Sequence, residues 1–299
     1  MKLSVFHRTH YNYAVPVQDS FNEARLQPSD NAQQRRHSFL LKVLPPTRLT
    51  HYVDFYQNCV HLFDLSRSHT ELTVEATSVV TTANLPGLPE DARPAPLSTI
   101  EACSQFERCY DFLQPSHFVN DAVASWRLAL DVTAGETDAW QAALKLMHFV
   151  HREFRYEPAS THVHTTLQEA LQLRKGVCQD FAHVLIGLCR ALKIPSRYVS
   201  GYLYNGPAEH LKGAQASHAW VEVYLPELGW CGLDPTNNQQ VSGRYVKIGV
   251  GRDYADVPPL KGTYRGTAER LLTVSVLVTL IDANETVALV PEIALKSGS

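Results

Sequence analysis

Residues 84–98 read NLPGLPEDARPAPLS, with prolines at 86, 89, 94 and 96. Each proline withdraws a backbone donor and fixes φ, so the stretch excludes both a helix interior and a central strand. A fold built from this sequence is divided here. Before the break, short alternating segments such as Leu3–Phe6, Ser38–Leu44 and Leu72–Val80 are separated by polar or proline-containing interruptions. Leu72, Val74 and Ala76 share one face, and Glu71, Thr73 and Glu75 the other, which predicts an antiparallel sheet or sandwich. After the break, residues 98–112, 119–130, 136–154 and 165–174 carry helical apolar spacing, as in Ala139, Ala143, Leu146 and Val150. Strand-like runs follow at Ser196–Tyr204 and from Ser217, the latter turning at Pro226–Gly229 and returning through Trp230–Leu233. Arg270–Val290 holds two β-like runs around Asp282-Ala283-Asn284 and is expected to return to the amino-terminal sheet. The expected division is a β-rich domain over 1–83, a linker over 84–97, a mixed core over 98–265 and a β segment over 266–299.

The length of 299 residues suits two domains, and a formal charge of −3 with mixed signs gives no global pull toward nucleic acid or an anionic membrane. Neither is expected as a partner. The longest apolar segment, Leu271–Ile281, is interrupted by Thr273, Ser275 and Thr279 and is too short to span a bilayer. The amino terminus lacks the basic start and apolar stretch of a signal peptide, so a cytoplasmic location is expected. Six cysteines, at 59, 103, 109, 178, 189 and 231, form no CxxC pair. Cys178 and Cys189 on one helix would stand about 16 Å apart, too far for a disulfide, so free thiols are expected. His148 and His151, and the pair His162 and His164, lack a complete ligand set, and no phosphate-binding or EF-hand loop is present. No metal or cofactor is expected.

The segment Lys175-Gly-Val-Cys-Gln-Asp-Phe-Ala-His-Val-Leu-Ile-Gly-Leu-Cys-Arg-Ala-Leu places Cys178 after a glycine-containing break, at the start of a helix. Phe181, Val184, Leu185, Leu188 and Leu192 give that helix an apolar stripe, while Gly187 costs it about 1 kcal/mol if exposed. Free N–H groups and the positive end of the helix dipole favour a thiolate, and the same groups can hold an oxyanion. Taken alone, such a cysteine more often packs a helix start. Downstream, Ser217-His-Ala-Trp-Val-Glu-Val-Tyr puts His218, Trp220, Glu222 and Tyr224 on one strand face. Gly229-Trp-Cys-Gly-Leu-Asp-Pro-Thr then puts Asp234 near the end of the hairpin. There a carboxylate can orient His218, or cap the Asp-Pro-Thr turn.

The ordered trio and its surroundings resemble the transglutaminase-like superfamily of papain-related thiol enzymes, nearest to bacterial members with an extra amino-terminal domain. The resemblance rests on GVCQDFAHV at 176–184, IPSRYVSGYL at 194–203, SHAWVEVYLPELGW at 217–230, LDPTNN at 233–238 and GRDYADVPPLKG at 251–262. It extends more weakly through the first 80 residues. It implies an α+β fold with the cysteine helix on an antiparallel sheet, plus an amino-terminal β-sandwich-like domain. It assigns Cys178 as nucleophile, His218 as general base and acid, and Asp234 as orienter. An amide of a protein or peptide would be the bond attacked, through a thioester. Hydrolysis by a peptidase or amidase is the first expectation; amine transfer and a noncatalytic binding module are the alternatives. Gln179, Tyr156 and Trp220 are candidate substrate or oxyanion contacts, each with a packing or solvation role as the plainer reading. Asp180 suits the helix dipole, and Arg252 and Asp253 are expected to order a loop near the cleft. Arg35-Arg36-His37 is read as a solvated edge. The sequence does not fix an oligomeric state.

Overall fold

The computed structural model describes residues 1–83, 86–120, 123–158, 165–206, 212, 217–266 and 269–281. Five strands precede the proline-rich stretch: β1 (Lys2–Ala24), β2 (Gln34–Leu44), β3 (Thr50–Val53), β4 (Cys59–Leu65) and β5 (His69–Thr82). Leu72, Val74 and Ala76 are buried as their alternation predicts, and Thr73 is buried too, so β5 is covered on both faces. Between β5 and the next helices, prolines leave few donors, and two of those that remain are met by side chains. Leu88 N–H donates to Gln240 Oε1 at 2.7 Å, and Ala95 N–H to Asp138 Oδ2 at 2.8 Å.

The helices are α1 (Leu97–Ile100), α2 (Glu107–Tyr110), α3 (Val123–Val132), α4 (Ala139–Glu153), α5 (Leu167–Leu173) and α6 (Cys178–Ala191). The helical spacing at 98–112 resolves into short turns, because Phe106 is extended and breaks the run. The short strands β6 (Arg155–Tyr156) and β7 (Lys175–Gly176) pair in parallel. A second antiparallel sheet follows, from β8 (Ser196–Leu203), β9 (His218–Leu225), β10 (Gly229–Asp234), β11 (Gln239–Gln240) and β12 (Tyr245–Gly251), in the order β11-β10-β9-β8-β12. β13 (Leu260–Arg265) and β14 (Arg270–Leu280) complete the chain's described strands.

Both β13 and β14 return to β1. Residues Leu3 to Tyr13 of β1 lie against β14, from Leu3 opposite Leu280 to Tyr13 opposite Arg270, and against β5 on the other side. Residues Ser20 to Ala24 lie between β4 and β13. The register shifts between Asn12 and Val17, where Pro16 offers no ladder donor. The sandwich-like expectation thus takes the form of one curled antiparallel sheet, closed around Tyr13, Val17, Leu26, Phe63, Leu72 and Val74. The return of the last segment is observed over Arg270–Leu280; the Asp282-Ala283-Asn284 turn and second run lie outside the described residues, as do His162 and His164.

The overall class is α+β. α6 packs on β8 and β9 and is flanked by α3, α4 and α5. Every residue from Gln179 to Arg190 is buried. The amphipathic stripe read from sequence therefore understates its enclosure, since His183 is covered by Phe118, Tyr198 and Tyr254, and Arg190 by the segment 112–116, Ser196 and Arg252. A Cβ on Gly187 would sit 2.4 Å from Leu167 Cδ2, so this glycine lets α5 close on α6. The two halves meet along β12. The Gln34 amide donates to Lys247 O and accepts from Lys247 N–H, both at 2.8 Å, and Asn58 does the same with Val250, also at 2.8 Å. Each amide replaces one rung of a missing strand ladder. Among the described residues, no helix is long and apolar enough to cross a membrane.

Candidate active site

The first turn of α6 is built by its own sequence. Gly176 accommodates the Asp180 carboxylate, which would lie 2.4 Å from a Cβ at that position, and Asp180 Oδ2 accepts from Val177 N–H at 2.8 Å. That bond fixes the entry to the helix and leaves Cys178 as its first residue, half-buried. β7 ends immediately before, and its pairing with β6 sets Tyr156 opposite Gly176.

His218 begins β9 and Asp234 ends β10, with the two strands joined by the turn at Pro226–Gly229. Both side chains are fully buried, and His218 Nε2 donates to Asp234 Oδ2 at 2.8 Å. The two roles weighed for Asp234 are filled together. Its Oδ1 caps the turn, accepting from Thr236 N–H at 2.9 Å and Asn237 N–H at 3.2 Å. Its Oδ2 accepts from His218, from Asn237 Nδ2 at 2.8 Å and from the Tyr245 hydroxyl at 2.7 Å. Gln239 Nε2 donates to that hydroxyl at 2.6 Å.

The electrostatics follow from this arrangement. Burial alone would lower the His218 pKa, but the charge and hydrogen bond of Asp234, with Cys178 adding to them, push it up to about 10. Burial would raise the Asp234 pKa, and the imidazolium plus the bonds from Asn237 and Tyr245 bring it below the usual carboxylate value. The pair is an ion pair at neutral pH. Among the described residues His218 Nδ1 makes no hydrogen bond of ordinary geometry, so the ring nitrogen not held by Asp234 is left for Cys178, whose interaction also raises the imidazole pKa. Burial, then the charges of Cys178 and Asp234, push the Tyr156 hydroxyl up to about 12, which keeps it a neutral donor. Tyr198 is raised well above its ordinary value by burial and by Cys178.

Cys178, His218, Asp234 and Tyr156 are therefore brought together. Trp220 is fully buried, 6.3 Å from the His218 ring and 5.2 Å from Tyr245, and backs the histidine. A Cβ on Gly201 would lie 2.5 Å from Trp220 Cη2, so the glycine opposite His218 makes room for the indole. Gln179 is buried in the first turn of α6 rather than solvated. Asp253 orders its loop, accepting from Phe118 N–H at 2.7 Å and Ala255 N–H at 2.8 Å, and Arg252 forms a two-bond pair with Asp256. Gln34, Arg35 and Arg36 pair with β5 in β2, the edge strand of its sheet, where Arg35 and His37 are exposed and Arg36 donates to Pro28 O at 2.9 Å, so the run is a solvated edge as expected. Sequence reasoning missed Tyr245 and Gln239. Asn237 lay inside the LDPTNN motif, but Tyr245 comes from β12, two strands away from β9 in the sheet, and only the strand order reveals it. Among the described residues no group of three or more metal-ligating side chains is clustered.

The same elements are matched in known proteins. Residues 3–81 match the bacterial transglutaminase-like N-terminal region, and residues 127–235 match the core of the transglutaminase-like superfamily. An uncharacterized protein of Mycobacterium leprae is 37% identical over 282 residues, covering 93% of this chain and 98% of the relative. A protein-glutamine gamma-glutamyltransferase of Pseudomonas aeruginosa is 33% identical over 144 residues, covering 44% of this chain but 21% of that enzyme. The crystal structure of a candidate cysteine protease from Cytophaga hutchinsonii superposes with a TM-score of 0.77 at 21% identity. It covers 96% of this chain and 92% of the other, a likeness of fold.

Proposed function

This chain belongs to the bacterial transglutaminase-like family, and from that premise we propose that it performs cysteine-dependent acyl transfer at amide bonds of a protein or peptide. The observation that carries the reading is the buried His218–Asp234 pair beside a cysteine at a helix N-terminus. Cys178 Sγ, its proton already carried by His218 Nδ1, attacks the amide carbonyl carbon as a thiolate. Charge growing on the carbonyl oxygen is met by N–H groups of the first turn of α6, with the Tyr156 hydroxyl as a further donor. When the tetrahedral species collapses, the C–N bond breaks and His218 returns its proton to the departing amine. A thioester on Cys178 remains. Water or a second amine then attacks it, with the now neutral His218 as base, and the thiolate–imidazolium pair is regenerated. Asp234 keeps Nε2 protonated, so Nδ1 is the nitrogen that exchanges the proton.

Hydrolysis is the first reading, because water is present at every turnover and no acceptor-binding motif is visible. Amine transfer is the second, favoured by the stretch shared with the Pseudomonas glutamyltransferase. The six free cysteines suit a reducing compartment such as the cytoplasm. The test is a panel of protein and peptide amides incubated with and without a fluorescent primary amine, followed by mass spectrometry of products and of the enzyme. An acyl adduct on Cys178, absent in Cys178→Ser, is the expected result. The product without amine gives hydrolysis, and label incorporation gives transfer. Turnover that survives Cys178→Ser contradicts the proposal.

A further inference from the structure

The crease in β1 creates a second recess. Tyr11 and Tyr13 stack there with ring centroids 6.1 Å apart, and Tyr264 of β13 meets Tyr13 edge-on at 5.1 Å. The Arg270 guanidinium, at the start of β14, lies 5.3 Å from the Tyr11 ring centre and 5.7 Å from that of Tyr264. Phe118 and Tyr254 close the recess from the α+β half, giving a cleft of about 340 Å³. Lys261 and Arg270 are its charged walls and both are exposed. No carboxylate is among the residues that line it. The neighbouring Arg265 pairs with Asp19, whereas neither Lys261 nor Arg270 enters an ion pair among the described residues.

This recess is coupled to the nucleophile helix. Phe118 lies flat on His183, 5.3 Å away at an interplanar angle of 13°, and Tyr254 N–H donates to His183 Nε2 at 3.2 Å. His183 is five residues beyond Cys178 on α6, about 7.5 Å along the helix axis. Tyr254 also touches Tyr198 at 6.3 Å, and Tyr198 feels the charge of Cys178. The inner wall of the cleft therefore backs onto the nucleophile helix across the buried His183, while Cys178 itself is not among the residues that line it. Two exposed cations outside any ion pair among the described residues attract carboxylates, while tyrosine faces supply broad contact to an extended backbone.

We propose that the cleft is a recognition site for an acidic, extended segment of the protein substrate, which it holds while a neighbouring amide reaches Cys178. The delivery part rests on the acyl-transfer reading; the binding part does not. The test uses the full-length Cys178→Ser protein and fluorescein-labelled octapeptides of alternating Gly-Glu, Gly-Gln or Gly-Lys, read by anisotropy. The Gly-Glu peptide should bind at least about tenfold more tightly than Gly-Gln, with the advantage shrinking as salt rises from about 50 mM to about 500 mM. An Arg270→Gln/Lys261→Gln double variant should lose that advantage. Both positions are exposed, so folding is retained, and in the Cys178 enzyme the same double change should leave turnover of a small amide unaltered. Absence of Gly-Glu binding, equal binding of Gly-Glu and Gly-Lys, or undiminished binding in the double variant would overturn the proposal. Selective acidic binding with no acyl adduct on Cys178 would sink the acyl-transfer reading and leave the cleft standing.

Discussion

Replacing Asp234 by Asn keeps the side chain's size and changes what it can accept. The carboxylate now takes five hydrogen bonds, two backbone ones on Oδ1 and three side-chain ones on Oδ2. An amide keeps one oxygen, and its NH2 must face donors on whichever side it lies. Losing the two turn bonds at about 1 kcal/mol each, together with the charge opposite a buried imidazolium, predicts a loss of about 3–5 kcal/mol near neutral pH. The pH dependence has a defined sign. The His218 pKa is raised from 6.5, so its contribution is complete below about pH 6.5 and lost as pH rises through about 10. The Asp234 pKa is lowered from 3.8, so its contribution is complete above about pH 4 and lost as pH falls through the depressed folded value. The difference between wild type and variant should therefore be widest between about pH 4 and 6.5 and narrow on either side. Urea unfolding followed by tryptophan fluorescence across that range measures it. A difference under about 1 kcal/mol at pH 6, or one that stays flat with pH, would refute the ion-pair reasoning.

Three further outcomes are expected. Tyr245→Phe removes one charge-assisted bond to Asp234, so kcat/KM should fall about tenfold. NMR titration should show the Asp234 pKa raised once that bond is lost; an unmoved carboxylate would leave Tyr245 as packing only. Tyr156→Phe should lower kcat by about 10²-fold with KM little changed if its hydroxyl meets the oxyanion, and an unchanged kcat would remove it from that role. Gly187→Ala gains about 1 kcal/mol of helix propensity but forces a methyl against Leu167, an overpacking cost of about 1–3 kcal/mol. Its thermal midpoint should fall, and a rise would show that α5 yields freely.

The parts of the fold set by local pattern were readable in the chain. Alternation marked β5, three- and four-residue spacing marked α4, and the glycine break before Cys178 marked the start of α6. The ordered Cys, His and Asp stood out because their flanking residues formed a strand, a tight turn and a returning strand. What was hidden depends on contacts distant in sequence. No period reports that one long strand serves two ladders, that Gly187 admits Leu167, or that β12 brings Tyr245 to Asp234. The burial of Trp220 fits its plainer packing reading, whereas Gln179, read as solvated, is covered: a helix turn looks half-open in sequence, and only the packed layers show it enclosed.

The central claim is that His218 activates Cys178, and its most direct test is the pH dependence of iodoacetamide labelling, with peptide mapping of the modified cysteine. An imidazolium held by Asp234 activates a neighbouring thiol, so wild type should be labelled selectively at Cys178 over the other five cysteines. In folded His218→Ala that selectivity should disappear. If Cys178 in the folded wild type reacts no faster than the other five cysteines, or if His218→Ala leaves its profile unchanged, the account is contradicted.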